Sequence, residues 1–165
     1  MHQRIKDVLD LMVPPQGEEL WHGGPTLMGC LRGIKVMQAV WKPAPIRNSI
    51  WDLTLHMAYW KHNIIAHLNP EFREEFERSP SNFPEIPKKQ SEGNWKADKI
   101  LLKATHEKLI QEIKAFPAEK LDEICPTKPN YTFIKLITGI AAHDTYHIGQ
   151  IQVLKKLYVE MNKLG

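Results

Sequence analysis

At 165 residues, with 42% hydrophobic and 25% charged side chains, the chain has the makeup of one globular domain able to bury its own core. The net charge of +3 is small, and lysines and arginines alternate with acids instead of forming a stripe, which argues against nucleic-acid binding. No run approaches the ~20 apolar residues of a membrane span, and MHQRIKDVLDLM lacks the apolar core of a signal peptide. The two cysteines, Cys30 and Cys125, stand far apart without metal-ligand spacing and are expected as reduced thiols of a cytoplasmic protein.

Residues 4–12 are predicted as a short leading helix. After the breaker VPPQGEE, the segment WHGGPTLMGCLRGIKVM reads as the first bundle helix. Pro25 suits its first position, and Leu27, Leu31, Ile34 and then Met37 or Gln38 recur at helical spacing. KPAPIR ends it, because two prolines cannot continue a helix. Asn48 or Ser49 can cap the next helix, IWDLTLHMAYWKHNIIAHL, in which Ile50, Leu53, Met57, Trp60 and Ile64 form the stripe of a bundle seam.

The stretch NPEFREEFERSPSNFPEIPKKQSEGNW is too long and too rich in proline for an ordinary helix–helix turn. A turn or two of helix is expected in EFREEFER; the rest reads as a crossover joining two helices that run in the same direction. The third helix is predicted over 96–115, with Ile100, Leu101, Leu109, Ile110 and Ile113 inward, and Phe116 and Pro117 stop it. The fourth starts near Tyr131 and runs to about 160. No strand is expected. Residues 1–165 therefore read as a single all-α domain, a four-helix bundle with one long crossover and a short extra N-terminal helix.

The chemistry of the chain sits in AAHDTYHIGQ, residues 141–150. Leu136, Ile140, His143, His147, Ile151 and Leu154 share one helix face, so both histidines point into the bundle. An i, i+4 pair of imidazoles can grip one metal ion. His56, three residues after Leu53 and four before Trp60, faces inward from another helix and offers a third nitrogen. The alternative is three neutral core histidines, each of which would need partners for both ring nitrogens.

Asp144 and Gln150 are candidates to orient the imidazoles by accepting their second N–H, although Asp144 also fits a solvated helix face. Trp60 lies beside His56 as a packing or pocket residue, and Tyr146 reads as packing. His22, next to Trp21 at a helix start, is a pocket candidate at the bundle mouth. His62 and His67 lie further along their helix, His2 is terminal, and His106, among Thr105, Glu107 and Lys108, reads as surface.

Taken together, WHGGPTLMGCLRGI, SIWDLTLHMAYWKH and AAHDTYHIGQIQVLKK, in this order and spacing, resemble the DinB-like superfamily of metalloenzymes over almost the whole chain. The resemblance implies a four-helix bundle of up-down-down-up type, with one divalent metal ion (nickel, zinc or iron) held by His56, His143 and His147. It implies a homodimer, to which the crossover residues Phe72, Phe76 and Phe83 add weak support; the other reading is that they tie the loop onto the bundle. Some relatives join a low-molecular-weight thiol such as bacillithiol to an electrophile, and others are labelled metal-dependent hydrolases. The family name records DNA-damage inducibility and not DNA binding. The expectation is a thiol S-transferase acting on a small molecule. A hydrolase using the same site is the alternative, and a non-catalytic bundle with a structural ion is the reading from another class.

Overall fold

The structure is a computed structural model and describes residues 1–15, 17–20 and 22–163. Six helices carry it: α1 (Gln3–Leu9), α2 (Leu27–Cys30), α3 (Val36–Val40), α4 (Ile50–Leu68), α5 (Glu92–Ala115) and α6 (Phe133–Met161). Between α5 and α6 lie a short 3₁₀ turn and a two-stranded antiparallel hairpin, β1 (Ile124–Cys125) and β2 (Lys128–Thr132). Among the described residues no helix is long and apolar enough to cross a membrane.

Each long helix starts at the side chain that can cap it. For α4, the Ser49 hydroxyl accepts the Asp52 N–H at 3.1 Å, and the Asp52 carboxylate accepts the Ser49 N–H at 2.8 Å, a reciprocal capping box. Ser91 caps α5 and Thr132 caps α6 in the same manner, each accepting the N–H three residues on.

The directions of the helices follow from what their ends touch. Near the starts of both α4 and α5, Trp51 donates its indole N–H to Asp98 at 2.8 Å; near their far ends Asn69 donates to Glu112 at 3.2 Å. The two helices are therefore parallel, and residues 69–91 are the crossover that parallel neighbours require. The start of α6, with Phe133, Leu136 and Ile137, packs among Ile64, Ile65, Leu109 and Ile113 from the far ends of α4 and α5. Further along, Ile148 and Ile151 pack with Leu53, Trp95 and Leu102, so α6 is antiparallel to both. The fourth position is shared: Ile5, Val8 and Leu9 of α1 fill it at one end, and Leu27, Cys30 and Leu31 at the other. The order is up-down-down-up.

Several boundaries differ from the sequence reading. The helix expected from Pro25 to about Gln38 is split, because Gly33 adopts φ +77°, a left-handed conformation that breaks the ladder between α2 and α3. EFREEFER forms no helix. The hairpin was not foreseen; its Lys128–Thr132 strand lies on the bundle end, too short and exposed to show an alternating pattern. Ile100, assigned to the inner face of α5, is 56% exposed. The true seam of α5 is Trp95, Asp98, Leu102, Thr105 and His106, Leu109 and Ile113. His106, read as surface, is buried on that seam.

The crossover is held by its aromatic and charged residues. Phe72 and Phe76 pack against the His62 ring at 5.0 and 5.3 Å, and Arg78 pairs with the buried Asp98 at 2.7 Å. Phe83 stacks flat on His56 at 4.1 Å. All three phenylalanines thus tie the loop to the bundle.

The core is not continuously apolar. One apolar half gathers Ile64, Ile65, Leu109, Ile110, Ile137 and Ile140, and the other gathers Leu53, Met57, Leu102, Ile148 and Ile151. Between them in helix order lie Lys61 on α4, His106 on α5 and His143, Asp144 and His147 on α6, with His56 directly before Met57. Polar groups at that depth need either one another or a ligand.

Candidate metal centre

His56 stands on α4 and His143 and His147 one turn apart on α6, and the antiparallel packing brings the two helices face to face there. His143 Nε2 lies 3.0 Å from His56 Nε2 and 3.1 Å from His147 Nε2. The three ligand atoms fall within 4.8 Å of one another, and among the described residues no other histidine, cysteine or acid joins such a group.

The hydrogen bonds on the far sides of the rings decide what those nitrogens can do. His56 Nδ1 lies 2.7 Å from the main-chain carbonyl of Asn82, which can only accept, so the ring proton sits on Nδ1 and Nε2 carries a lone pair. His147 Nδ1 donates likewise to Gln150 Oε1 at 2.7 Å, leaving its Nε2 as a second lone pair. Burial lowers the proton affinity of all three rings. His143 is pulled down to about 3, by burial first and then by its histidine neighbours and Lys61. The rings are therefore neutral at pH 7. His143 can place at most one proton between itself and two neighbours that both present lone pairs, and its own buried Nδ1 has no partner among the described residues.

Protein groups alone leave this arrangement unsatisfied, and a cation at the convergence point satisfies all three Nε2 atoms. Two nitrogens bound at ~2.1 Å to one ion are ~3.0 Å apart at a right angle and ~3.4 Å apart at a tetrahedral angle. The two separations to His143, 3.0 and 3.1 Å, are close to the first case. The residues fit a divalent ion.

Of the residues named beside the ligands, Gln150 lies with Oε1 2.7 Å from His147 Nδ1. Trp60 packs edge-on to His143 at 6.3 Å and donates its indole N–H to the Asn82 side chain at 2.9 Å. Asp144 neither accepts an imidazole N–H from the three ligands nor faces solvent. It is buried and paired with Lys61, itself fully buried, because its Cα direction turns it toward α4 and α5 on the side away from the ligands. Burial lowers the Lys61 pKa and raises that of Asp144, and their mutual attraction opposes both shifts. The nearest imidazole to Asp144 is His106, at 4.0 Å. His22 accepts the Gly24 N–H at 3.0 Å through Nδ1 and does not belong to the converging group. Tyr146 is exposed, with its ring edge-on to His147 at 4.9 Å.

Sequence reading missed Asn82, and it named Phe83 only as a crossover residue without placing it at the site. Asn82 holds φ 69°, a conformation that asparagine tolerates better than most residues, and this aims its carbonyl at His56. Nothing in the local pattern announces that a crossover residue supports a ligand on α4; a helix-disfavouring Asn-Phe-Pro run was the only available signal. The Gln150 contact is testable. Gln150→Leu is expected to weaken metal binding by about 10–100-fold, the usual effect of removing an orienting hydrogen bond, in a chelator competition. An unchanged affinity would show that the bond does not orient His147.

An all-α up-down-down-up bundle with a three-histidine group between its helices is the class this fold and site define. Residues 25–151 match the family model of the DinB superfamily, and the chain belongs to that superfamily. No curated protein and no solved structure matches the chain.

Proposed function

We propose that the protein is a metal-dependent enzyme that transfers a low-molecular-weight thiol to a small electrophile. The observation that carries this reading is the set of three neutral Nε2 atoms aimed at one point, with no fourth protein ligand among the described residues. Structural zinc sites are normally closed by four protein ligands, whereas three leave room for a substrate. When bound, a divalent ion supplies the charge that keeps a thiol as its thiolate at neutral pH.

The chain's own groups do the remaining work. Asn82 and Gln150 fix two rings with their lone pairs inward, and Phe83 and Trp60 shield the His56 and His143 side from bulk water. The sulfur forms a bond to the electrophilic carbon, the leaving group departs with the electron pair, and the thiol proton goes to solvent. Hydrolysis at the same centre is less well served. The carboxylate closest in sequence, Asp144, is turned away and occupied by Lys61, so it cannot act as general base for water.

The deciding assay gives the metal-loaded protein bacillithiol or cysteine with a chlorobimane electrophile. Conjugate should form at a rate that needs both the metal and His143. Turnover of esters or amides without any thiol, and no conjugate, would replace the transferase reading with a hydrolase. A loaded protein inert in both assays would leave the ion with a structural role.

A further inference from the structure

A cleft of about 230 Å³ runs between α4, α6 and the hairpin and reaches His143. Its walls are of two kinds. Trp60, Ile64, Leu136 and Ile140 make an apolar middle, while Lys128 of β2 and Lys135 of α6 stand at the hairpin end. None of the ion pairs among the described residues engages either lysine. Lys135 instead lies over the Tyr131 ring, 4.9 Å from its centre.

Two features make these lysines more than ordinary surface charges. Lys135 occupies the first turn of α6, where the helix dipole disfavours a cation, and that turn holds no acid to offset it. Lys128 is placed by pairing with Cys125 across the hairpin, so the positive rim is built by the fold and not by a free loop. Between Lys135 and His143, one helical turn from each, sits Gly139. A Cβ there would meet nothing within 4 Å, so no packing contact demands glycine in this helix interior, where alanine would be the stronger helix former. Its effect is to keep the floor of the cleft low midway between the lysines and the histidines.

We infer that this cleft takes an elongated organic anion, its carboxylate-like end held by Lys128 and Lys135, its apolar chain lying over Gly139 between Ile64 and Ile140, and its reactive end at the His143 side. The inference rests on the proposed reaction at the three histidines and specifies the substrate class. Lys135 and His143 are about 12 Å apart along α6, roughly the reach of an extended six-carbon mercapto acid with one hydrogen bond at its carboxylate end.

The probes are 6-mercaptohexanoate and 6-mercaptohexanol, equal in length and differing in the charge of one end. Binding is followed by the amide shifts of Gly139 and Ile140 in ¹⁵N-labelled, zinc-loaded protein, which report the cleft whether or not sulfur reaches the metal. The acid should bind about tenfold more tightly than the alcohol. The Lys128→Gln/Lys135→Gln protein should bind both alike, with its metal content unchanged. Gly139→Val should weaken both probes together. Equal affinities in the parent, an advantage that survives loss of both lysines, or no shift at Gly139 with either probe would each overturn the inference. The parallel readout is the sulfur-to-metal charge-transfer band of the cobalt-loaded protein. If that band is absent while the acid's advantage holds, the thiol reading fails and the anion cleft stands. If the protein takes up no metal at all, the same titration on the metal-free chain still decides the role of the lysines.

Discussion

His143→Ala is expected to leave the purified protein without stoichiometric metal, where the parent is expected to bind about one divalent ion per chain. His143 is the ring that both other ligands face, at 3.0 and 3.1 Å, so its loss removes the centre of the set and not an edge of it. The fold should survive. The ring is only half-buried, its Nδ1 has no partner to lose among the described residues, and alanine is the best helix former for the interior of α6. Elemental analysis of the untagged parent and variant, beside their far-ultraviolet circular dichroism, provides the measurement. A metal at 100 times its Kd should also stabilise the parent by about 2.7 kcal/mol, a shift in melting that the variant should not show. Equal metal content in both proteins would refute the three-histidine centre. No metal in either, after exposure to nickel, zinc, iron and manganese, would make the histidines core residues.

Lys61→Met is expected to destabilise the metal-free protein by about 3–5 kcal/mol, the cost of leaving a buried partner charge uncompensated. Lys61 is fully enclosed and its one carboxylate partner, Asp144, is 3% exposed. Restoring balance should restore stability. The double variant Lys61→Met/Asp144→Leu, which removes both charges, should recover most of the loss in a denaturant titration, since a well-packed apolar replacement often equals or exceeds a buried pair. A single variant as stable as the parent would mean that Asp144 is neutral in the fold or reaches water. A double variant as weak as the single would mean that the layer holds the helices by packing these long side chains and not by their charges. Working with metal-free protein separates this effect from any change at the neighbouring His143.

Much of the bundle was legible in the chain because its cause is local. The 3.6-residue rhythm of α4 and α6, the Ser49 cap and the proline-rich run after α4 are properties of neighbouring residues, and they predicted two helices and a crossover where the structure has them. The reading failed on α5, where three seam positions are polar. Asp98 is buried with Trp51 and Arg78 bonded to it, the buried Thr105 returns its hydroxyl to the Leu101 carbonyl, and the buried His106 faces Asp144 at 4.0 Å, so an apolar-stripe search shifted the inner face onto Ile100. It failed again between Pro25 and Gln38, where composition favours a helix but the chain must turn at Gly33 to bring Trp95 under the Ile34 carbonyl.

The sequence by itself determined the three histidines on inward faces of two helices, since face membership depends only on spacing along each helix. It also offered Gln150, one turn beyond His147, beside Asp144 as a candidate partner of the imidazoles. Tertiary structure alone decided that the three Nε2 atoms meet, because that depends on the offset between antiparallel α4 and α6. It also decided which way each neighbour turns: Asn82 and Phe83 are brought onto His56 by a crossover whose course no local pattern specifies. Asp144 is drawn away from the ligands because Lys61, on a different helix, offers it a charge that repays its burial.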